Sequence, residues 1–180
     1  AGANFDISSY KLVGNGGSTG IEISANGEVT MAAQPAFTAV NLAVDSNVTG
    51  NATSTATIDF DGEIFDQNAD FASDTFTAPI TGRYLLIANV RIQGYTDQAD
   101  SEGHVKVVAS NRTAATVFQP ISTGAYMEFT GRSSVIMDMD ASDTATIGLR
   151  VRGEAGDTVD IYGDSDTADI QTFFSGYLVA

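Results

Sequence analysis

The stretch that decides the fold is residues 144–152, which reads Thr-Ala-Thr-Ile-Gly-Leu-Arg-Val-Arg. Apolar and other side chains alternate along it, which is the period of an extended strand whose successive side chains point to opposite faces. One face is formed by the apolar residues Ala145, Ile147, Leu149 and Val151. The pattern predicts a half-buried strand of an antiparallel sheet.

The stretch just before it, residues 133–140, alternates in the same way. Val135, Met137 and Met139 form one face, opposite Ile136, Asp138 and Asp140. The link between the two stretches is Ala-Ser-Asp at residues 141–143, which is short and suits a turn. We therefore predict that the two strands form a hairpin.

Residues 84–93 form a third strand with a different pattern. Tyr84, Leu86, Ala88, Val90 and Ile92 share one side, but Leu85 and Ile87 make the first half apolar on the other side as well. A strand that is apolar on both faces is typical of the centre of a sheet or of a surface covered by another subunit.

Further short strands are predicted along the rest of the chain. They span residues 36–43, 54–60, 71–77, 104–110, 115–118, 125–129, 158–162 and 171–179. Helix-forming residues are scarce, whereas Gly, Thr, Ser and Asp are abundant. About ten short strands at close spacing predict an all-β fold, either a sandwich or a jelly roll.

The first 34 residues differ from the remainder. They consist of short alternating pieces separated by glycine turns, and Asn26-Gly27 is a strong hairpin signal. A segment below ~40 residues with few large apolar groups rarely folds without help. We expect residues 1–34 to be a β-rich anchor or shaft that folds against other chains, and residues 35–180 to be a head domain. A mobile tail is the second interpretation of residues 1–34.

The charge composition argues against two classes of partner. The chain has 180 residues and 18.7 kDa, with 8 Lys and Arg against 23 Asp and Glu, a formal net charge of −15. Such a field repels the phosphates of nucleic acids and anionic lipid head groups. No apolar run approaches the ~20 residues of a bilayer-spanning helix. We expect neither a nucleic-acid nor a membrane partner.

The chain offers few residues for catalysis. It has no cysteine, and His104 is its single histidine. The chain therefore has few residues from which a Ser/His/Asp triad or a His-rich metal site could be formed. A strand-edge position is the more ordinary role for that histidine. We predict a protein without catalytic residues or an obligatory cofactor.

One acidic loop suits a calcium ion. The segment 153–180 contains several acids and no Lys or Arg, and Asp164, Asp166 and Asp169 lie close together in it. Carboxylate oxygens are the ligands that Ca²⁺ prefers, although the spacing of an EF-hand is absent. We predict these three residues as a calcium site, with a solvated acidic surface as the alternative.

Three stretches in chain order resemble the signature of a known family. The first is Phe-Thr-Ala-Pro-Ile-Thr-Gly-Arg-Tyr at 76–84, and the second is the alternating region 133–152 followed by Gly-Asp-Thr-Val at 156–159. The third is Phe-Phe-Ser-Gly-Tyr-Leu-Val at 173–179. Over residues 35–180 the sequence resembles the complement component one q globular head, a trimeric jelly roll related to tumour necrosis factor.

The resemblance implies an antiparallel jelly-roll sandwich of the tumour necrosis factor type, assembled as a homotrimer. In that family the last strand lies in the inner sheet near the threefold axis, so the aromatic cluster here is implied to be core and interface. The residues assigned to this role are Tyr84, Leu86, Phe173, Phe174 and Tyr177. The chain departs from the family in lacking cysteine and a Gly-X-Y collagen stalk, and residues 1–34 stand in place of the stalk.

These observations predict a non-enzymatic virion protein, the homotrimeric head of a bacteriophage or other viral fibre, spike or capsid decoration. Residues 1–34 are expected to dock on other capsid or tail proteins. The head is expected to contact host-surface glycans through Tyr95 and Tyr126. The first residues carry no signal-peptide pattern, which favours a virion protein made in the host cytoplasm.

Two other functions remain open at this point. A secreted or cell-surface bacterial module of the same fold would serve adhesion or matrix assembly outside the cell. A polysaccharide-cleaving tail protein would need two carboxyl groups ~5 to 9.5 Å apart in a cleft. No sequence feature places two carboxylates in that way.

Overall fold

The computed structural model describes residues 12–13, 20–51, 53–95, 102–119 and 127–180. The regular elements within these ranges are all β-strands. The same ranges contain no helix long and apolar enough to cross a membrane. The chain divides into two compact units, Ala1–Gln34 and Pro35–Ala180, which we call the amino-terminal unit and the head. The prediction of an all-β protein is confirmed.

The amino-terminal unit contains a small antiparallel sheet. Its strands are β1 (Leu12–Val13), β2 (Gly20–Ile23) and β3 (Val29–Met31). β2 and β3 are joined at the predicted Asn26-Gly27 turn, where Gly27 has a φ of 92° and donates its N–H to the Ser24 carbonyl oxygen at 3.0 Å. The side chains of Ile23 and Val29 are exposed.

The head contains a larger and a smaller antiparallel sheet. The strands of the larger sheet are β4 (Ala36–Val40), β5 (Asp45–Thr49), β7 (Gly62–Asp66), β10 (Gly82–Tyr95), β13 (Met127–Met139), β15 (Val159–Ile161) and β16 (Phe173–Leu178). They follow the order β5-β15-β10-β16-β4-β7, and β13 pairs with the other edge of β10.

The smaller sheet supplies the opposite wall of the head. Its strands are β6 (Ala56–Thr57), β8 (Phe71–Ala72), β9 (Thr75–Thr77), β11 (Glu102–Ala109), β12 (Thr113–Phe118) and β14 (Thr144–Arg152). They follow the order β12-β11-β14-β9-β8, and β6 pairs with β14.

One continuous apolar core lies between the two sheets, because each long strand directs alternate side chains toward the other sheet. The predicted buried face of β14 is confirmed, since Ile147, Leu149 and their apolar neighbours on that strand are fully buried. Aromatic rings fill the middle. Phe37 stacks on Phe76 with ring centroids 4.9 Å apart and meets Phe174 edge-on at the same distance.

The predicted hairpin between β13 and β14 is wrong. β13 pairs with β10 in the larger sheet, whereas β14 pairs with β11 and β9 in the smaller one. The turn at 140–143, closed by a hydrogen bond from Asp143 N–H to the Asp140 carbonyl at 2.9 Å, crosses from one sheet to the other. Alternation reports which face of a strand is buried, and both strands bury their apolar face against the same core. It does not report the neighbour to which the backbone is hydrogen-bonded.

Other strand boundaries also differ from prediction. Residues 71–77 form two strands, β8 and β9, because Ser73 and Asp74 adopt positive φ angles of 49° and 62° and turn the chain. Residues 127–129 and 133–139 of two predicted strands lie in one strand, β13, and residues 125 and 126 fall outside the described ranges. β5 and β7 were not predicted, because β5 is polar at four of its five positions and β7 has its two apolar residues, Ile64 and Phe65, side by side instead of alternating.

Candidate subunit interface

The five residues predicted as core or interface fall into two groups. Tyr84, Leu86 and Phe174 are fully buried between the sheets. Phe173 is half-buried and Tyr177 is 47% exposed, and both lie on the side of β16 that faces away from the core. Strand alternation explains the division, because Phe174 points into the core and its odd-numbered neighbours point away from it.

The side of the larger sheet that faces away from the core, which we call the outward face, is apolar at one end. Leu85 of β10 is paired with Tyr177 of β16 on one side and with Ile136 of β13 on the other. Ile136 is 57% exposed, and Leu85 is half-buried. Ile87 lies two residues farther along β10 on the same face. These side chains form an apolar row across three adjacent strands.

The other end of the outward face is polar, and its side chains are paired with one another. The Nε–H of Arg132 donates to the Asn89 side-chain oxygen at 2.7 Å. Asn89 donates to the Gln171 carbonyl oxygen, and Arg91 donates to the side chains of Gln171 and Glu128. The hydrogen bond that Arg91 donates to the Glu128 carboxylate raises the pKa of Arg91. The polar groups of this end are therefore largely satisfied within one chain.

Arg91 also connects this end to the acidic loop. Its guanidinium carbon lies 4.1 Å from the ring centroid of Tyr162, and the Tyr162 hydroxyl donates to Asp164 Oδ2 at 2.9 Å. That hydrogen bond raises the pKa of Tyr162. The backbone N–H of Asp166, and then the Tyr162 hydroxyl, lower the pKa of Asp164.

A depression of about 490 Å³ lies beside β10 and β13 of the larger sheet and is also bordered by β12 of the smaller sheet. It is lined by Ile87, Ala88, Asn89, Thr116, Arg132, Ser133, Ser134, Ile170 and Phe173. Its lining is apolar toward Phe173 and carries a guanidinium group on Arg132. Sequence reasoning did not find this depression, because it forms where strands distant in the chain become neighbours.

The predicted calcium residues serve as acceptors for their own loop. Asp164 Oδ1 accepts from the Asp166 N–H at 3.0 Å, and Asp166 Oδ1 accepts from the Ala168 N–H at 2.9 Å. Asp169 accepts from the Gln171 side-chain amide at 3.4 Å. In the part of the chain that the structure describes, no group of three His, Cys, Asp or Glu is arranged to hold a metal ion. Calcium binding by Asp164, Asp166 and Asp169 stays a prediction.

The predicted receptor contacts have different outcomes. Tyr95 is fully buried in the core, so the expectation that it touches a receptor is wrong. The strand contains an irregularity between Ile92 and Tyr95, where Gly94 has a φ of 74°, and the shift of one residue turns Tyr95 inward. Tyr126 lies outside the described residues.

No protein-family model and no curated protein matches the chain. Among solved structures, the chain is similar to the globular domain of zebrafish complement 1qA protein, with 12% sequence identity and a TM-score of 0.52 over 81% of this chain and 98% of that one. It is also similar to murine APRIL crystallised at pH 5.0, with 14% identity and a TM-score of 0.51 over 81% and 99%. The likeness shows the fold, and the predicted antiparallel jelly roll of the complement one q and tumour necrosis factor type is confirmed.

Proposed function

We propose that the protein is a non-enzymatic binding head that assembles as a homotrimer through the outward face of its larger sheet. The observation that carries the proposal is the apolar row of Tyr177, Leu85 and Ile136 on adjacent strands. Two of these three side chains lie about half exposed in the single chain. A second copy that covers them removes apolar surface from water, which stabilises the assembly by about 25 cal/mol per Å².

The polar end of the same face suits burial as well. Leaving a charge unpaired at an interface is costly, whereas a charge with its hydrogen bonds already made is far cheaper to cover. Arg91 meets this condition, because its guanidinium group is paired with the Glu128 carboxylate and the Gln171 side chain. The threefold state is the one that the family resemblance implies.

The proposed setting is a virion, where the head would belong to a fibre, spike or capsid decoration. The amino-terminal unit would dock on a capsid or tail protein. What supports this is that the described apolar side chains of that unit, such as Ile23 and Val29, are exposed rather than buried in a core. A partner protein would cover them.

Light scattering on the full chain tests the assembly. The expected mass at micromolar concentration is about three times the 18.7 kDa of one chain. A stable monomer would contradict the proposal. For the setting, antibodies against the head should label intact virus particles from cultures that produce the protein. Labelling of a bacterial surface instead would favour the adhesion module.

A further inference from the structure

The outward face of the smaller sheet concentrates basic side chains. His104 and Lys106 on β11 and Arg150 and Arg152 on β14 all lie on the side of their strands opposite the core. The pairing places His104 beside Arg150, and Glu102 beside Arg152. Alternate residues of both strands, such as Val105 and Leu149, are fully buried. We call this surface the basic face.

This concentration is unusual for so acidic a chain. Only 8 of the 180 residues are Lys or Arg, yet three of them lie here on two adjacent strands, together with the single histidine. Glu102 is the one carboxylate within β11, β12 and β14, whereas the chain has 23 in all. The sign of the local charge is therefore opposite to that of the whole protein.

These basic side chains are held in place by neighbours. Glu102 pairs with His104 at 2.6 Å and with Arg152 at 3.2 Å, and Lys106 donates to the Thr55 hydroxyl at 2.8 Å. The hydrogen bond from His104, followed by the charges of Arg152 and Arg150, lowers the pKa of Glu102. Groups that are already positioned lose less entropy when a ligand binds.

The shape of this surface favours a hydrated polymer over a folded protein. Side chains that point the same way along a strand lie ~7 Å apart, and neighbouring strands lie ~4.8 Å apart, so the charges form a shallow grid. Protein interfaces are centred on apolar or aromatic anchors. The outward positions of β12 offer Ala115 and Val117, and those described on β11, β12 and β14 include no Phe, Tyr or Trp.

We propose that the basic face binds an acidic polysaccharide through carboxylate or sulfate groups on its sugars. This inference rests on the proposed function of a binding head. It names the class of ligand and replaces Tyr95 with the basic face as the binding surface. Arg152 and Arg150 offer planar guanidinium groups that match such oxyanions in pairs of hydrogen bonds. In a trimer built on the outward face of the larger sheet, the basic face lies on the other sheet of each subunit and stays accessible.

The charge of the rest of the protein distinguishes this ligand from nucleic acid. Duplex DNA carries one negative charge per ~1.7 Å, and a chain with a net charge of −15 repels so dense an array. The basic face acts only over short distances, because the screening length is ~8 Å at physiological ionic strength. A polymer with one charge per sugar or per disaccharide places fewer charges in the repulsive field.

Biolayer interferometry with the full chain tests the proposal, with polygalacturonate, kappa-carrageenan (one sulfate per disaccharide) and neutral dextran immobilised separately. The first two probes separate carboxylate from sulfate recognition. We expect binding to at least one acidic polymer and none to neutral dextran. Arg152→Gln should weaken binding about fivefold, the scale of one exposed charge contact. Glu102→Gln should strengthen it, because the loss of the carboxylate that repels and competes with the ligand outweighs the weaker positioning of His104 and Arg152.

Arg112→Gln is the matched control. The Arg112 side chain is 56% exposed and pairs with Asp138 at 3.0 Å, and the Arg152 side chain is 49% exposed and pairs with Glu102. Both variants lose one positive charge and one exposed ion pair. A larger loss of polymer binding in Arg152→Gln than in Arg112→Gln therefore indicates a local binding site at Arg152. Equal losses in the two variants, equal binding to neutral dextran, or tighter binding to an oligothymidine than to either acidic polymer would overturn the proposal.

Light scattering on the same samples separates this inference from the proposed assembly. A trimer that binds neither acidic polymer contradicts the basic face alone. A monomer that still binds them in an Arg152-dependent way contradicts the assembly and supports the basic face.

Discussion

Arg91 lies over the aromatic ring of Tyr162, with its guanidinium carbon 4.1 Å from the ring centroid. A cation at this distance is attracted to the negative face of the ring. The same guanidinium group bonds Gln171 and Glu128, so one side chain joins β10 to β13 and to the loop that precedes β16. Arg91 thereby fixes the polar end of the proposed interface.

The first prediction concerns this stacking. Tyr162→Leu should lower Tm by about 2–4 °C, the shift of one lost contact in a domain of this size. Tyr162→Phe keeps the ring and removes only the hydrogen bond to Asp164, so its effect should be less than half as large. Thermal unfolding at one fixed chain concentration checks both variants. Equal losses would show that the hydroxyl, and not the ring, holds Arg91.

The second prediction concerns the Thr172 hydroxyl, which is fully buried. It donates to the Tyr162 carbonyl oxygen at 2.6 Å and accepts from the Arg91 N–H at 3.1 Å. Thr172→Val should reduce the free energy of unfolding by about 1–3 kcal/mol, because both backbone groups lose their partner. Thr172→Ser keeps the hydroxyl and should recover most of the loss in urea unfolding. An unchanged stability of the Val variant would refute this account.

The third prediction concerns the close approach of Phe118 to Gly103. A Cβ atom on residue 103 would lie 1.9 Å from Cζ of the Phe118 ring. Gly103→Ala should therefore destabilise the head by about 1–3 kcal/mol or prevent its folding. Gly156→Ala is the control, since nothing lies within 4 Å of its added Cβ. Adding Phe118→Leu should partly rescue the Gly103 variant in thermal unfolding, and failure of rescue would count against a steric cause.

The fourth prediction concerns pH. Burial, and then the charges of Asp74 and Asp61, raise the pKa of Asp59, so the folded chain takes up a proton there before the unfolded chain does as pH falls. The ionised carboxylate thus destabilises the fold at pH 7, and Asp59→Asn should raise Tm there. The gain should disappear below the ordinary pKa of Asp, where both states are protonated.

Asp164→Asn should show the opposite sign. Hydrogen bonds lower the pKa of Asp164, so its ionised form stabilises the fold above the ordinary pKa of Asp, and this contribution is lost as pH falls through the lowered value. The Asn variant should therefore have a lower Tm than the wild type at pH 7 and the same Tm at strongly acidic pH. Parallel melting curves of the two variants across pH would contradict both assignments.

Strand alternation predicted the buried faces of the long strands, because alternate side chains of a strand point to opposite faces and only one of those faces packs on the core. Leu149 and Met137 are buried as expected. Alternation does not show which strands are hydrogen-bonded to each other, and the predicted β13–β14 hairpin is wrong for that reason. The expectation for Tyr95 is wrong because it placed this residue in a loop after a strand that ends at residue 93, whereas β10 continues to Tyr95 and the irregularity at Gly94 turns its side chain inward.

The candidate surfaces were only partly predictable. Tyr177 was assigned to core or interface from the family resemblance, and the structure places it on an exposed sheet face. The row it forms with Ile136 depends on β10 lying between β16 and β13, which are far apart in the chain. The basic face likewise requires the pairing of β11 with β14. Such surfaces arise from topology, which residue patterns specify weakly.

The most direct test of the central claim is sedimentation equilibrium of Ile136→Glu beside Val117→Glu. The two positions are 57% and 55% exposed, each on a strand, but Ile136 lies on the outward face of the larger sheet and Val117 on the smaller sheet. The account predicts a folded monomer for Ile136→Glu, because a buried unpaired carboxylate opposes assembly, and a trimer for Val117→Glu. A trimer for Ile136→Glu, or dissociation of Val117→Glu alone, would contradict it.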